Sequence, residues 1–152
     1  MHRADQDKVH QVMVKKTLSA SVRQFANMTK MQMRDVFAES VQDVVDAAQL
    51  PRAKGGRIPV DTGNLRNSLA SGLNGTIGAP DASSYVVTLS QLEIGDIAQF
   101  AWTAPYARRI ELGFSGTDSL ARTYEQSGAH FLGSAVAQWP QFVTANAARL
   151  KK

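Results

Sequence analysis

From Leu18 to Ala48 the chain carries no glycine or proline, and its apolar residues recur at helical spacing. Leu18, Val22, Phe25, Met33, Val36, Val44 and Ala48 share one stripe, which Ala26, Phe37 and Val41 widen. Pro51 ends the run. A helix of about 28 residues would be roughly 42 Å long, more than a domain of this size needs for its own core. The pattern therefore predicts a long helix over 17–49, capped by Ser21 with Gln24 or by Thr17 or Ser19, and serving more than one packing partner.

Charge is segregated along this element. Residues 1–34 carry seven bases against two acids, a net of +5, while 35–50 carry four acids and no base, a net of −4. On a helical wheel Lys16, Arg23, Lys30 and Arg34 flank the apolar arc on one side, and Asp35, Glu39, Asp43 and Asp46 on the other. Bases toward the N-terminus and acids toward the C-terminus oppose the helix dipole, so local helix energetics do not explain them. Pairing with another element or subunit does. We expect Arg23, Lys30, Arg34, Asp35, Glu39, Asp43 and Asp46 to form a subunit interface, with solvated helix faces as the plainer alternative. Met28 and Met31 fall on the polar side.

The remainder predicts one domain over 1–152: a mobile polar arm at 1–16, a basic loop at 51–59 (PRAKGGRIP), and short helices with a small antiparallel sheet over 60–112. Asp61 is the expected N-cap of a short helix, with Val60 and Leu65 at the spacing of a hydrophobic staple. Strands are expected at 68–73, Tyr85–Leu89 and Ile97–Thr103, and a helix at Pro105–Leu112 ended by Gly113. Residues 113–128 read as a loop. From 129 to 151 one helical phase survives Pro140, which predicts a kinked helix. Two long helices on a sheet of two to four strands is an α+β fold.

The chain's composition excludes much chemistry. With no cysteine among 152 residues there is no disulfide, thiolate metal site or cysteine nucleophile. The three histidines have no paired or HExxH spacing, no GxGxxG follows a strand, and Gly55-Gly56 lacks a phosphate-loop lysine after it. Gly113-Phe114-Ser115-Gly116 misses the spacing of a nucleophile elbow. Asp61, Glu93 and Glu111 remain, and Asp61 with Glu111 on Mg²⁺ is the one nuclease-like arrangement to weigh. His130 reads as a helix-start or interface residue, and Trp102 and Trp139 as core. No catalytic, cofactor or metal residue is expected, and no membrane span or signal-peptide core; the expectation is a soluble intracellular protein that is not an enzyme.

Three segments in order carry a resemblance: Pro-Val-Asp-Thr-Gly-Asn-Leu-Arg-Asn-Ser-Leu (Pro59–Leu69), Pro-Tyr-Ala-Arg-Arg-Ile-Glu-Leu-Gly (Pro105–Gly113) and His-Phe-Leu-Gly-Ser-Ala (His130–Ala135). Together they resemble the gene-ten-like family of tail-completion or head–tail joining proteins of long-tailed double-stranded DNA bacteriophages, over about residues 20–150. That family pairs a DTGxLRxS stretch with YAxxxExG and a terminal (R/K)PFLxPA helix start. The resemblance assigns Asp61, Thr62, Gly63, Leu65 and Ser68 to the first motif, Tyr106, Ala107, Glu111 and Gly113 to the second, and Phe131, Leu132 and Ala135 to the third. His130 and Ser134 stand where the family has proline. The resemblance implies a virion structural protein of the phage neck, assembled in the host cytoplasm and incorporated in the virion. Its implied form is a hexameric or dodecameric ring between a head-closure or connector protein and a tail-terminator or tail-tube protein. Contact with packaged DNA would be non-specific. Association is expected through the 18–48 helix and the 113–128 loop. A nucleic-acid-binding protein using the basic N-terminal half is the alternative from another class.

Overall fold

A computed structural model of the chain describes residues 29–117 and 119–150. The fold is α+β, with a long N-terminal helix, a C-terminal helix bent by 38°, a three-stranded antiparallel sheet and a two-stranded one. The expected arm at 1–16, the cap candidates Thr17, Ser19 and Ser21, and Lys16, Arg23 and Met28 lie outside the described residues.

Helix α1 (Lys30–Gln49) begins on a capping box: Thr29 Oγ1 accepts from the Gln32 amide at 3.1 Å, and Gln32 Oε1 accepts from the Thr29 amide at 2.9 Å. Thr29 is extended, with ψ 162°. This corrects the single helix expected from Leu18. Ser21-x-x-Gln24 and Thr29-x-x-Gln32 are the same type of signal, and the second starts this helix.

The central sheet has the order β2-β1-β3, formed by β1 (Leu69–Leu73), β2 (Thr76–Ile77) and β3 (Ala98–Trp102). Asn74 and Gly75, with φ of 55° and 89°, make the tight turn from β1 to β2. The register Leu69↔Trp102, Ser71↔Phe100 and Leu73↔Ala98 puts these residues on one face. There Leu69 packs with Val45, Tyr85 and Leu89 under α1 and α3 (Ser84–Ser90). The strand expected at Tyr85–Leu89 is thus helical. Tyr85 and Leu89 are buried at i and i+4, whereas Val86 and Val87 are exposed, so burial spacing overrides β-propensity.

Asp61 is not the cap of the short helix α2 (Asn64–Asn67). Gly63, at φ 84°, holds that position, and no side chain caps it. Asp61 is exposed and so is Val60, so no staple forms; Leu65 alone is buried. Helix α4 (Ala107–Leu112) ends at Gly113 as the sequence predicts.

Residues 113–128 are a β-hairpin and not a loop: β4 (Gly113–Thr117) and β5 (Thr123–Ser127) pair over five positions from Gly113↔Ser127 to Thr117↔Thr123. Short polar strands leave little hydrophobic alternation to read. The C-terminal segment comprises α5 (Phe131–Val136) and α6 (Trp139–Leu150). Pro140 has no N–H for the Val136 carbonyl, which accounts for the break just before it. Helix α6 runs antiparallel to α1, from Gln32 Nε2 donating to the Leu150 carbonyl to Val36 packing on Ala147.

Candidate functional site

The three motif segments meet at one junction. Leu65, Ala107, Phe131 and Ala135 belong to a single buried cluster with Ala48, Ile58 and Ala129, and Leu132 packs against it. Trp102 stands edge-on to Phe131 at 5.3 Å between ring centres, and its indole N–H donates to Gln49 Oε1 at 2.9 Å. Gln49 is itself buried, and its amide donates to the Arg66 and Ala82 carbonyls, both at 3.0 Å. Ser68 Oγ donates to the Leu65 carbonyl at 2.7 Å.

Glu111 ties the second motif to the third. Its carboxylate accepts from the amides of Leu132 (3.1 Å) and Gly133 (2.8 Å), which stabilises the first turn of α5. The Ala129 amide donates to the Ile110 carbonyl at 2.7 Å, and the His130 amide to the Glu111 carbonyl at 3.1 Å. His130 is the left-handed N-cap residue of α5, at φ 52°, in keeping with the helix-start reading. Gly113 and Gly128 form the root of the hairpin. A Cβ on Gly113 would lie 2.5 Å from the Gln126 carbonyl oxygen, and one on Gly128 would lie 2.4 Å from that of Glu111. Tyr106 is exposed, at the start of α4.

Asp61 and Thr62 stay at the surface, where Thr62 Oγ1 accepts from the Asn64 amide at 3.4 Å. The Asp61–Glu111 metal arrangement has no support: both Glu111 oxygens already face amide donors. Among the described residues no three His, Asp or Glu side chains cluster as a metal site requires. No described helix is long and apolar enough to cross a membrane.

Of the described charges expected to face another subunit, all but Lys30 find partners inside the chain. Arg34 donates to the carbonyls of Leu92 (2.6 Å), Leu89 (3.0 Å) and Ser90 (2.9 Å), and pairs with Asp35 at 2.9 Å. It closes the C-terminal end of α3. Glu39 pairs with Arg149, Asp43 accepts from Asn146 Nδ2 at 2.9 Å, and Asp46 accepts from the Tyr85 hydroxyl. Burial pushes the Tyr85 phenol well above its ordinary value, and the hydrogen bond to Asp46 and the Asp46 charge add to this. Glu39, Asp43 and Asp46 therefore bind α6 and α3 to α1. Lys30 is exposed at the first turn. Sequence reasoning could not tell an intrachain partner from another copy, and Arg34 and Asp46, expected on opposite flanks, both meet α3.

Compared with known protein families, curated proteins and solved structures, the chain matches none.

Proposed function

We propose that this chain is a structural, non-enzymatic ring subunit of the neck of a long-tailed double-stranded DNA bacteriophage, joining a head-side connector to the tail. The observation that carries the reading is the junction itself. The three motif segments by which the sequence resembles the tail-completion family are far apart in the chain, yet they share one core cluster, and one carboxylate cap ties the second to the third.

The hairpin gives the reading its assembly surface. Among the described side chains none of 114–117, 119–123 or 125–127 belongs to a core cluster, and among the described residues the β4–β5 ribbon pairs with no third strand. Such a ribbon is marginal by itself, and its open edges are templates for a further strand. Leu112, next to the ribbon, and Leu120, in its turn, are 58% and 70% exposed. One copy's ribbon docking on a different face of the next is the heterologous contact that closes a ring.

Native mass spectrometry of the purified chain, with and without its head-side and tail-side neighbours, tests the proposal together with mass spectrometry of purified virions. Closed rings of six or twelve copies and presence in the virion are expected. A chain that stays monomeric with its neighbours and is missing from the particle overturns it.

A further inference from the structure

The described carboxylates and arginines are mostly paired within the chain. Asp35, Glu39, Asp43, Asp46, Asp81, Asp96 and Glu111 each accept a hydrogen bond or an ion pair. Arg34, Arg66, Arg109 and Arg149 each meet a carbonyl, a carboxylate or a ring. The 51–59 segment departs from this rule. Arg52, Lys54 and Arg57 are exposed, the segment contains no acid, and among the described residues none of the three side chains has a hydrogen-bond or ion-pair partner.

These cations are carried on an anchored loop. Pro51 bridges Ile58 in parallel register, the Arg52 amide donates to the Ile58 carbonyl at 2.9 Å, and Ile58 is fully buried. Gly56 lies so close to the end of α1 that a Cβ there would fall 1.8 Å from the Leu50 carbonyl oxygen. Between this loop and the root of the hairpin lies a cleft of about 330 Å³, lined by Arg52, Gly55, Gly56, Arg57, Gly128 and Ala129. Its lining includes two arginines, three glycines and an alanine, with neither an acid nor an aromatic residue. The amides of Gly55, Gly56 and Ala129 already donate to the Arg52, Pro51 and Ile110 carbonyls, so these three lining amides are not offered to a ligand.

We propose that this cleft binds the phosphate backbone of double-stranded DNA, with Arg52 and Arg57 as the phosphate-contacting residues and Lys54 adding charge at the rim. Guanidinium forks match phosphate oxygens, and a wall without aromatic or amide side chains cannot stack on or read bases. A second copy of the chain is a poor occupant. Among the described residues only Asp61, Glu93 and Glu125 have carboxylates without a partner, and these lie on three separate segments of the chain. The inference is independent of ring formation, because it needs only the cleft of one subunit.

The test is fluorescence anisotropy of the full chain with two duplexes of unrelated sequence, titrated from about 50 to about 200 mM salt. Equal affinity for both duplexes is expected. In Arg52→Ala/Arg57→Ala the slope of log K against log salt should flatten by about 1.8, at about 0.9 per lost phosphate contact, and affinity at the upper salt limit should drop about tenfold or more. Arg52→Lys/Arg57→Lys should keep the wild-type slope, and both variants should melt like wild type, since the two side chains are exposed. An unchanged slope in the alanine variant overturns the proposal, as does no duplex binding by wild type at the lower salt limit. Polyglutamate bound as tightly as DNA, with the same loss on alanine substitution, would assign the cleft to an acidic protein face and also overturn it.

Discussion

Removing the Glu111 carboxylate should uncouple the start of α5 from α4 and cost the chain about 2 kcal/mol. The figure follows from the two amides it serves. Loss of a helix cap costs about 0.5–2 kcal/mol, and the charge at the positive end of the helix adds about 0.3–1 kcal/mol. Leu132 is half-buried, so its amide is poorly rehydrated after Glu111→Ala, whereas the exposed Gly133 recovers a water. In a domain of this size each kcal/mol shifts the melting midpoint by about 2–4 °C, so a drop of about 4–8 °C is expected. Glu111→Gln keeps one well-placed oxygen without the charge and should lose about half as much. Thermal unfolding followed by circular dichroism at pH 7 measures both. A Glu111→Ala midpoint within about 1 °C of wild type would refute the idea that this carboxylate holds α5, and with it the junction on which the functional reading stands.

Arg34→Ala removes donors from three carbonyls at the end of α3 and should cost about 2–3 kcal/mol in urea unfolding; Arg34→Lys should recover less than half, because an ammonium cannot span Leu89, Ser90 and Leu92 together. Because the Tyr85 phenol is raised in the folded chain, its contribution to stability is complete below the ordinary phenol value near 10 and declines as the pH rises through and beyond it. Unfolding midpoints from about pH 8 to 11.5 should thus fall more steeply in wild type than in Tyr85→Phe, and parallel curves would refute the assignment. Gly113→Ala imposes φ 79°, ψ 172° on a residue with a Cβ that would strike the Gln126 carbonyl. It should cost about 2–4 kcal/mol and abolish hydrogen-exchange protection in the β4–β5 ladder, while α1 and α6 keep theirs.

The sequence made the α+β class legible, along with β1, β3 and the helix ending at Gly113, because each has a strong local signal. Asn74-Gly75 marks a turn by its backbone needs alone, and Gly113 marks a stop in the same way. What failed were segments where two signals compete or none is strong. Val86-Val87-Thr88 looks like a strand until Tyr85 and Leu89 are known to be the buried pair. Thr29 and Ser21 offer equivalent caps, and the 113–128 ribbon is stitched almost wholly by backbone bonds that leave little trace in side chains. The acidic row was visible as a run of like charges, but its partners Asn146, Arg149 and Tyr85 lie 39–110 positions away. The junction was visible only as three motif segments in sequence order. That Glu111 addresses the amides of 132 and 133 required the fold.

Several ties between elements of this molecule share a grammar: one side chain speaks to main-chain atoms of another segment. Arg34 grips three carbonyls, Gln49 two, and Glu111 two amides. Each such bond places a demand on a single residue type and none on the partner's identity, since every amino acid offers a carbonyl and all but proline an N–H. The architecture can therefore drift widely in letters while its wiring survives, and a handful of isolated positions, widely spaced and individually unremarkable, is all that a kindred chain would need to retain.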